Sequence, residues 1–495
     1  MKKGIIAIVV LLVLVVCLWG GATYYFGMKT EQQYQTLLQK ASQSRYFTFV
    51  NQSYERGFLG SKARTVMEVH SVPGAAADNQ TIKITLDQAI THGPFPIGKS
   101  GNGESQFKPV MAVVDTKFVP SPDAQGQFKE LTAQVPEIGA IRDTTTLYLD
   151  GNGVEYFVVP AFKRTFGDEE KVTVDWKGLT LQVNFSNDFK GFKGSLNIPG
   201  LVVEGKDGDL KVKDVNSTFN FAEGISGLSL GDASFTLAEL GFAEKKDAKP
   251  VTFSLRGFNA STSNKASGDV VNSMLTVRTD QMKLEDVQYG PGNFELEFRN
   301  LDAAMLAKLQ KMLRETEAQP KPQSDEASEM MNLAKYGEIL AGLLKKSPEI
   351  ELKRLDLKTS EGDFTGNAKI SFDGTKAGPD FNVIGLAGAI AAQADCRVGE
   401  RLLHRILTPI MKDRIISEIK ERAAEDDPQA EPELPDEKEL NALVASAIEE
   451  QLNALMQQGI LQKGNGEYRS TASYKAGQIV LNGRPLSLQE LLMGN

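Results

Sequence analysis

The N-terminal run of apolar residues constrains this chain more than any other feature. From Gly4 to Met28 no residue is charged, and Ile5 to Leu18 contains only Ile, Val, Leu, Ala and one Cys. A helix needs about 20 predominantly apolar residues to cross the ~30 Å hydrocarbon core of a bilayer, and Ile5 to Phe26 supplies that length. Trp19, Tyr24, Tyr25 and Phe26 fall at the distal end, where amphipathic rings favour the membrane–water interface. Lys2 and Lys3 precede the run, so the positive-inside rule predicts an N-inside orientation. Residues 30–495 would then lie outside the cytoplasm. A cleaved signal peptide is the alternative, because Gly20-Gly21-Ala22 offers small residues of the cleavage type. Bulky Trp19 before that site and the uncharged run beyond it weigh against cleavage. Val16 is too bulky beside Cys17 for the usual lipobox, so Cys17 reads as an apolar-like residue of a membrane helix.

Charge and cysteine usage narrow the function classes. The net charge of −9 lacks the basic footprint that non-specific nucleic-acid binding requires. With one cysteine in the apolar run and the other at Cys396, no internal disulfide is expected in the remaining chain. Cys396 then reads as a buried thiol, or as an intermolecular bridge.

Downstream of Tyr46 the dominant pattern is a period of two. Leu179, Leu181, Val183 and Phe185 alternate with polar residues, as do Phe294, Leu296 and Phe298 with Glu295 and Glu297. Such alternation marks strands with one buried and one wet face. Gly-Asn-Gly at 101–103, 151–153 and 464–466, and Asn482-Gly483, supply the φ > 0 residues of tight hairpins. Amphipathic helices are predicted over 301–317, 330–346, 399–424 and 437–458, with the third carrying Leu402, Leu403, Ile406, Ile410, Ile415 and Ile419. Linkers are predicted over 319–328 and 425–436, and a terminal turn over 488–493. The expected fold is α+β and mainly β: a single transmembrane helix, then a large antiparallel meander sheet covered by a few amphipathic helices. The expected organisation is 1–28 as cytoplasmic N-terminus and anchor, 29–45 as a juxtamembrane helix, 46–300 as a β-rich domain, and 301–495 as a mixed helix and strand region.

Catalytic chemistry leaves little trace. The histidines are His70, His92 and His404, and none belongs to a zinc-binding His-Glu-x-x-His pattern. No nucleophile elbow and no phosphate-binding loop is present. No catalytic residue, metal ligand or cofactor is therefore assigned, and an enzyme is not expected. Two short stretches stand out instead. In Ser53-Tyr54-Glu55-Arg56-Gly57-Phe58-Leu59-Gly60-Ser61 an Arg between aromatic residues, followed by Gly57, can make a hydrogen-bonded strand corner. In Thr91-His92-Gly93-Pro94-Phe95-Pro96 a rigid turn presents one imidazole. Each reads as a docking feature near the membrane, or as a strand end closed by a turn with its polar groups satisfied locally.

The anchor, Tyr54-Glu55-Arg56-Gly57-Phe58, His92-Gly93-Pro94 and the closing Leu481-Asn482-Gly483-Arg484-Pro485-Leu486 together resemble the YdgA-like family of Gram-negative bacteria. The resemblance covers nearly the whole chain, with Gly60 standing where many members carry Ser. It implies an inner-membrane protein with a periplasmic domain, and it brings no established catalytic residues. A looser likeness is to AsmA-type envelope proteins, which pair an N-terminal anchor with an elongated periplasmic β-sheet and are linked to lipid movement. That likeness concerns fold, and fold alone does not give function. The expectation is a non-enzymatic envelope protein that holds lipid or another apolar ligand in a sheet groove lined by Phe294, Leu296 and Phe298. A scaffold acting through protein partners or as a homo-oligomer is the alternative.

Overall fold

The computed structural model describes residues 2–42, 47–70, 82–96, 109–120, 125–245, 251–285, 287–318, 326–376, 388–426 and 434–486, with N-terminal side chains described from Leu14 onward. The chain divides into two compact units, Met1–Val251 with Leu309–Asp325, and Thr252–Lys308 with Glu326–Asn495.

The first unit opens with helix α1 (Lys2–Ala41). The apolar run and the polar segment after it form one helix, with no break before a separate juxtamembrane element. Strands β1 (Phe47–Arg56), β2 (Gly60–Val69), β3 (Ile82–His92) and β4 (Ala112–Pro120) follow. Then come helix α2 (Gln125–Gln134), β5 (Arg142–Leu147), β6 (Gly153–Val159), β7 (Phe162–Phe166), β8 (Val172–Trp176), β9 (Leu179–Phe185), β10 (Gly191–Glu204), β11 (Gly208–Glu223) and β12 (Ser229–Glu244). The expected pattern had no helix at α2. Every pair is antiparallel, and neighbours run β1-β2-β3-β4-β5-β6-β9-β10-β11-β12. The long β10 pairs with β9 through its first half and with β8 through its second, and β7 adds to β8. The alternation in β9 has the predicted consequence: Leu181 and Val183 oppose Leu196 and Gly194 on one face, while Thr180 and Asn184 are exposed.

The core of this unit sits under α1. Tyr34 and Leu38 are buried with Ala63, Ile90, Met111, Ala112, Val114, Leu147, Phe185 and Phe189. Tyr34, Leu37, Leu38 and Ala41 share one helical face by their three- and four-residue spacing. Beyond that face the helix is tied by Gln33 Nε2 donating to Gly151 O (3.1 Å) and by Lys40 bonding to Asp188 O. Among the described residues no helix is long and apolar enough to cross a membrane. Residues 4–13 of the apolar run precede the first described side chain.

The second unit comprises β13 (Thr252–Ser267), β14 (Val270–Thr279), β15 (Gln281–Leu284), β16 (Val287–Asp302), the start of α3 (Ala303–Ala318, which passes into the first unit at Leu309), α4 (Glu326–Leu344), β17 (Glu349–Thr359), β18 (Phe364–Phe372) and β19 (Ile390–Gly399). It closes with α5 (Glu400–Asp426), α6 (Glu437–Gln457), β20 (Gln462–Gly464), β21 (Glu467–Lys475), β22 (Gln478–Leu481) and β23 (Arg484–Leu486). The antiparallel order is β13, then β14 and β15 end to end, then β16-β17-β18-β19-β21, with β20 and β22 along β21 and β23 last. Asn465 and Gly466 (φ 52° and 76°) and Asn482 and Gly483 (φ 48° and 80°) take the left-handed conformations expected of their hairpins.

Several boundaries depart from the sequence pattern. Leu301 completes β16 rather than opening a helix, and 326–328 and 425–426 are helical rather than linker. The Gly-Asn-Gly at 101–103, the centres of both predicted linkers and the terminal turn lie outside the described residues. Helix α6 begins at Asp436, whose Oδ1 accepts from Glu439 N (2.8 Å) as an N-cap, and buries Leu440, Val444, Ile448 and Leu452. They pack with Leu402 and Met411 of α5 and with Phe364, Val398 and Tyr468 of the sheet. The stripe expected on α5 is only partly covered: Ile406 and Ile410 are exposed.

Candidate functional site

The two motifs of the first unit come together against α1. Strands β1 and β2 are joined by a tight corner in which Gly57 N donates to Gly60 O (2.9 Å). An added Cβ at Gly57 would meet that same oxygen at 2.7 Å, so only glycine fits. His92 ends β3, and its backbone N donates to Leu59 O (2.9 Å), which pins the second motif to the first. Gly93 N then donates to Met111 O (2.7 Å), and Val110 N donates to Pro94 O (2.9 Å).

The His92 side chain is buried at 3% exposure. Burial chiefly lowers its pKa, with Arg56 adding to the effect and the Phe58 carbonyl opposing it. The neutral ring therefore carries its proton on Nδ1, which donates to Phe58 O (3.2 Å), and Nε2 accepts from the Ser61 hydroxyl (2.9 Å). A serine bonded to an imidazole is half of a nucleophile arrangement. Here the orienting group is a backbone carbonyl, Ser61 is 5% exposed, and α1 closes over the ring at Gly27. A Cβ at Gly27 would stand 2.6 Å from His92 Nδ1. The arrangement presents no open face to a substrate and reads as a structural latch between α1 and two strand ends.

The remaining motif residues grip the same helix. Arg56 pairs with Glu31 (3.1 Å) and lies 5.5 Å from the centre of the Tyr24 ring. Tyr54 packs on Tyr34 with ring centres 5.3 Å apart. Tyr34 donates to Gln88 Oε1 (2.6 Å) and accepts from Thr65. Burial pushes both tyrosine hydroxyls above their ordinary pKa. Phe58, Leu59 and Phe95 stay exposed at the tips of the two corners, and Phe58 Cζ is 3.4 Å from where a Cβ on Gly20 would stand. The sequence-level signal of Tyr54, Arg56, Gly57, Phe58 and His92 thus converges on one place. The third motif lies in the second unit, where Asn482 Nδ2 donates to Gly459 O (2.7 Å) and Ile460 O (2.9 Å), and its Oδ1 accepts from Thr471 N (2.7 Å). It locks the closing hairpin.

Below the latch, between α1 and the sheet, is a cavity of about 280 Å3 walled mainly by apolar side chains, including Leu37, Met67, Leu86 and Val114. Two carboxyl groups, Asp143 of β5 and Glu155 of β6, line it. They are hydrogen-bonded to each other, and burial raises the pKa of both. The sequence reading missed this pair.

Phe294, Leu296 and Phe298 lie in the second unit on one sheet face. Directly opposed residues share a face, and register continues each row across the sheet. One row runs Leu275-Leu296-Leu352-Ala368-Ala394-Ala472-Leu481, and the next Phe298-Ile350-Ile370-Ala392-Tyr474-Ile479. Phe294 continues a third through Leu355, Gly366 and Cys396. Burial and Asp395 push the Cys396 thiol's pKa up, which disfavours the reactive thiolate. Phe364, Val398 and Tyr468 at one end of this face are covered by α5 and α6, and Phe372 at the other packs with Leu344 of α4. Between them Leu275, Ile350 and Ile370 are 37%, 42% and 50% exposed. The opposite face is a charge ladder in which Glu297 pairs with Arg299 and Lys353, and Glu349 pairs with Arg299 and Lys369.

His70 bonds Thr48 (2.8 Å) and His404 lies 3.5 Å from Glu449, so the histidines do not gather. No cluster of metal-ligating side chains occurs among the described residues. Residues 1–489 match a family described as a bacterial protein of unknown function, DUF945. The chain belongs to this family. No curated protein and no solved structure matches it. In this DUF945 protein the latch and the apolar sheet face are therefore read from their own geometry.

Proposed function

We propose that this protein is a single-pass inner-membrane protein, N-inside, whose β-rich units lie in the periplasm and hold a lipid acyl chain without catalysing a reaction. The observation that carries the ligand reading is the apolar face of the second unit. From β14 to β18 it crosses three strand spacings, ~14 Å at ~4.8 Å each, with three large aliphatic side chains in solvent. Scattered exposed aliphatics are ordinary, whereas a contiguous apolar patch marks a binding surface. A charge-free strip of this kind suits an acyl chain better than a polar ligand.

Support for the membrane assignment comes from the uncharged run and its flanking lysines. The exposed tips Phe58, Leu59 and Phe95 beside α1 add apolar contact where the helix would leave the bilayer. A reporter active only outside the cytoplasm, fused after residue 45, should be active. Activity from a cytoplasm-only reporter at that site would overturn the orientation.

The ligand reading is tested on Ile370. Full-length protein should co-purify with lipid detectable by mass spectrometry after organic extraction. Ile370→Glu places a charge where the side chain is half in solvent, so folding should persist while bound lipid falls at least tenfold. Val444→Glu, in the closed helix core, should unfold the unit instead. Unchanged lipid in folded Ile370→Glu, or no lipid in the parent, would leave the scaffold reading ahead.

A further inference from the structure

The cavity beneath α1 has a chemistry of its own, independent of the apolar face in the second unit. Its walls are mainly aliphatic and aromatic, and three polar side-chain atoms at its edge are left without a protein partner. Thr30 is 1% exposed, lines the cavity, and its Oγ1 has no protein hydrogen-bond partner. Gln33, one helical turn further along α1, donates from Nε2 to Gly151 O while its Oε1 has no protein donor. Across from them Asp143 Oδ1 is likewise unpartnered and buried. Buried polar groups are ordinarily hydrogen-bonded, and three orphans on one cavity require an explanation. The lining includes no Lys, Arg or His.

The carboxyl pair sets the sign of the ligand. Asp143 and Glu155 hydrogen-bond to each other, which requires a proton on at least one of them, so the pair carries at most one charge and that charge is negative. Asp115 adds further negative potential at Asp143. An anion is repelled by this wall. No group of three His, Cys, Asp or Glu side chains placed to hold a metal ion occurs among the described residues. A neutral alcohol donates one hydrogen bond, whereas an ammonium donates three and brings the opposite charge. The volume of about 280 Å3 is at the small end of ligand pockets.

We propose that the cavity beneath α1 binds a small organic cation with an ammonium head and an apolar body, of the alkylamine or arylamine class. The ammonium lies among Asp143, Glu155, Thr30 and Gln33, and the apolar body lies against Leu37, Met67, Leu86 and Val114. Closure of α1 by the His92 latch sets the width of the cavity.

Benzylammonium, benzyl alcohol and benzoate are equal-sized probes that differ in charge and donors. Titrated calorimetrically into the full chain in a maltoside detergent, benzylammonium should bind saturably and at least tenfold more tightly than benzyl alcohol. Benzoate should bind more weakly still. The double variant Asp143→Asn, Glu155→Gln preserves shape and should erase the preference for the ammonium while retaining the β-sheet circular dichroism of the parent. Leu37→Trp, which fills the cavity and leaves the carboxyls in place, should abolish binding of all three. Equal affinity for ammonium and alcohol, a preference that survives the folded double variant, or binding unaffected by Leu37→Trp would each overturn the proposal.

Discussion

Gly93→Ala should destabilise the protein by about 3 kcal/mol, the upper end of what overpacking a well-filled site usually costs. A Cβ at Gly93 would stand 1.7 Å from Val110 O and 3.0 Å from Met111 O. Neither oxygen belongs to a flexible side chain. Gly93 N donates to Met111 O, Val110 N donates to Pro94 O, and Val110 is fully buried. Relief therefore needs movement of the β3 end away from the start of β4, with loss of those two hydrogen bonds. The same movement carries His92 away from Ser61 and from Gly27, so α1 loses its latch. Gly139→Ala is the control, because nothing stands within 4 Å of its Cβ. Urea unfolding followed by tryptophan fluorescence should show a much lower midpoint for Gly93→Ala and little change for Gly139→Ala. A Gly93→Ala midpoint equal to that of the control would mean that the strand ends yield at no cost and that the latch is not rigid.

The sheet was legible in the sequence because its information is local. Alternation in Leu179–Phe185 and Phe294–Phe298 and the Asn-Gly turns at 465 and 482 each act within a few residues, and each formed as read. The two motifs around Arg56 and His92 were visible as unusual composition, but their shared purpose was not. It depends on Gly27, a residue that looks like filler in an apolar helix until His92 stands against it. The cavity was invisible for the same reason. Thr30 and Gln33 meet Asp143 and Glu155 only after β1 to β6 have paired and α1 has docked. One signal could have been caught. Asp143 shares the parity of Thr145 and Leu147, and Glu155 that of Phe157, so each strand places a carboxyl on its inward face. Helix α2 was missed because it carries only Phe128 and Leu131 as large apolar residues, too few to define a face. Ile406 and Ile410 show the opposite error: helical periodicity gives the stripe but not how far a partner covers it.

Glu155→Gln should raise stability at pH 8 by up to about 3 kcal/mol and remove a pH dependence from the parent. Desolvation of its buried carboxyl, with repulsion from Asp143 and the hydrogen bond to it, pushes Glu155 from 4.5 up to about 7. At 1.36 kcal/mol per unit, that difference sets the ~3 kcal/mol ceiling, which the coupled pair holds jointly. Between about pH 4.5 and 7 the folded chain holds a proton that the unfolded chain has released. Stability of the parent from this pair therefore falls as pH rises through that window and levels off above it. Other carboxylates act in the opposite sense. Arg64 holds Asp87 below its ordinary range, and Arg299 and Lys369 do the same for Glu349 against the opposing effect of burial, so their contributions are lost in acid. The raw profile mixes these effects, whereas the difference between parent and variant isolates the pair. Glutamine keeps the shape and can donate from Nε2 to Asp143, which then ionises without a like-charged neighbour in contact. Chemical unfolding at intervals from pH 4 to 8 should give curves that meet near pH 4 and separate steadily above pH 5, with the variant the more stable. Parallel curves would show that Asp143 and Glu155 share no proton near neutrality, and that the pair is not the proton-sharing unit described for the cavity.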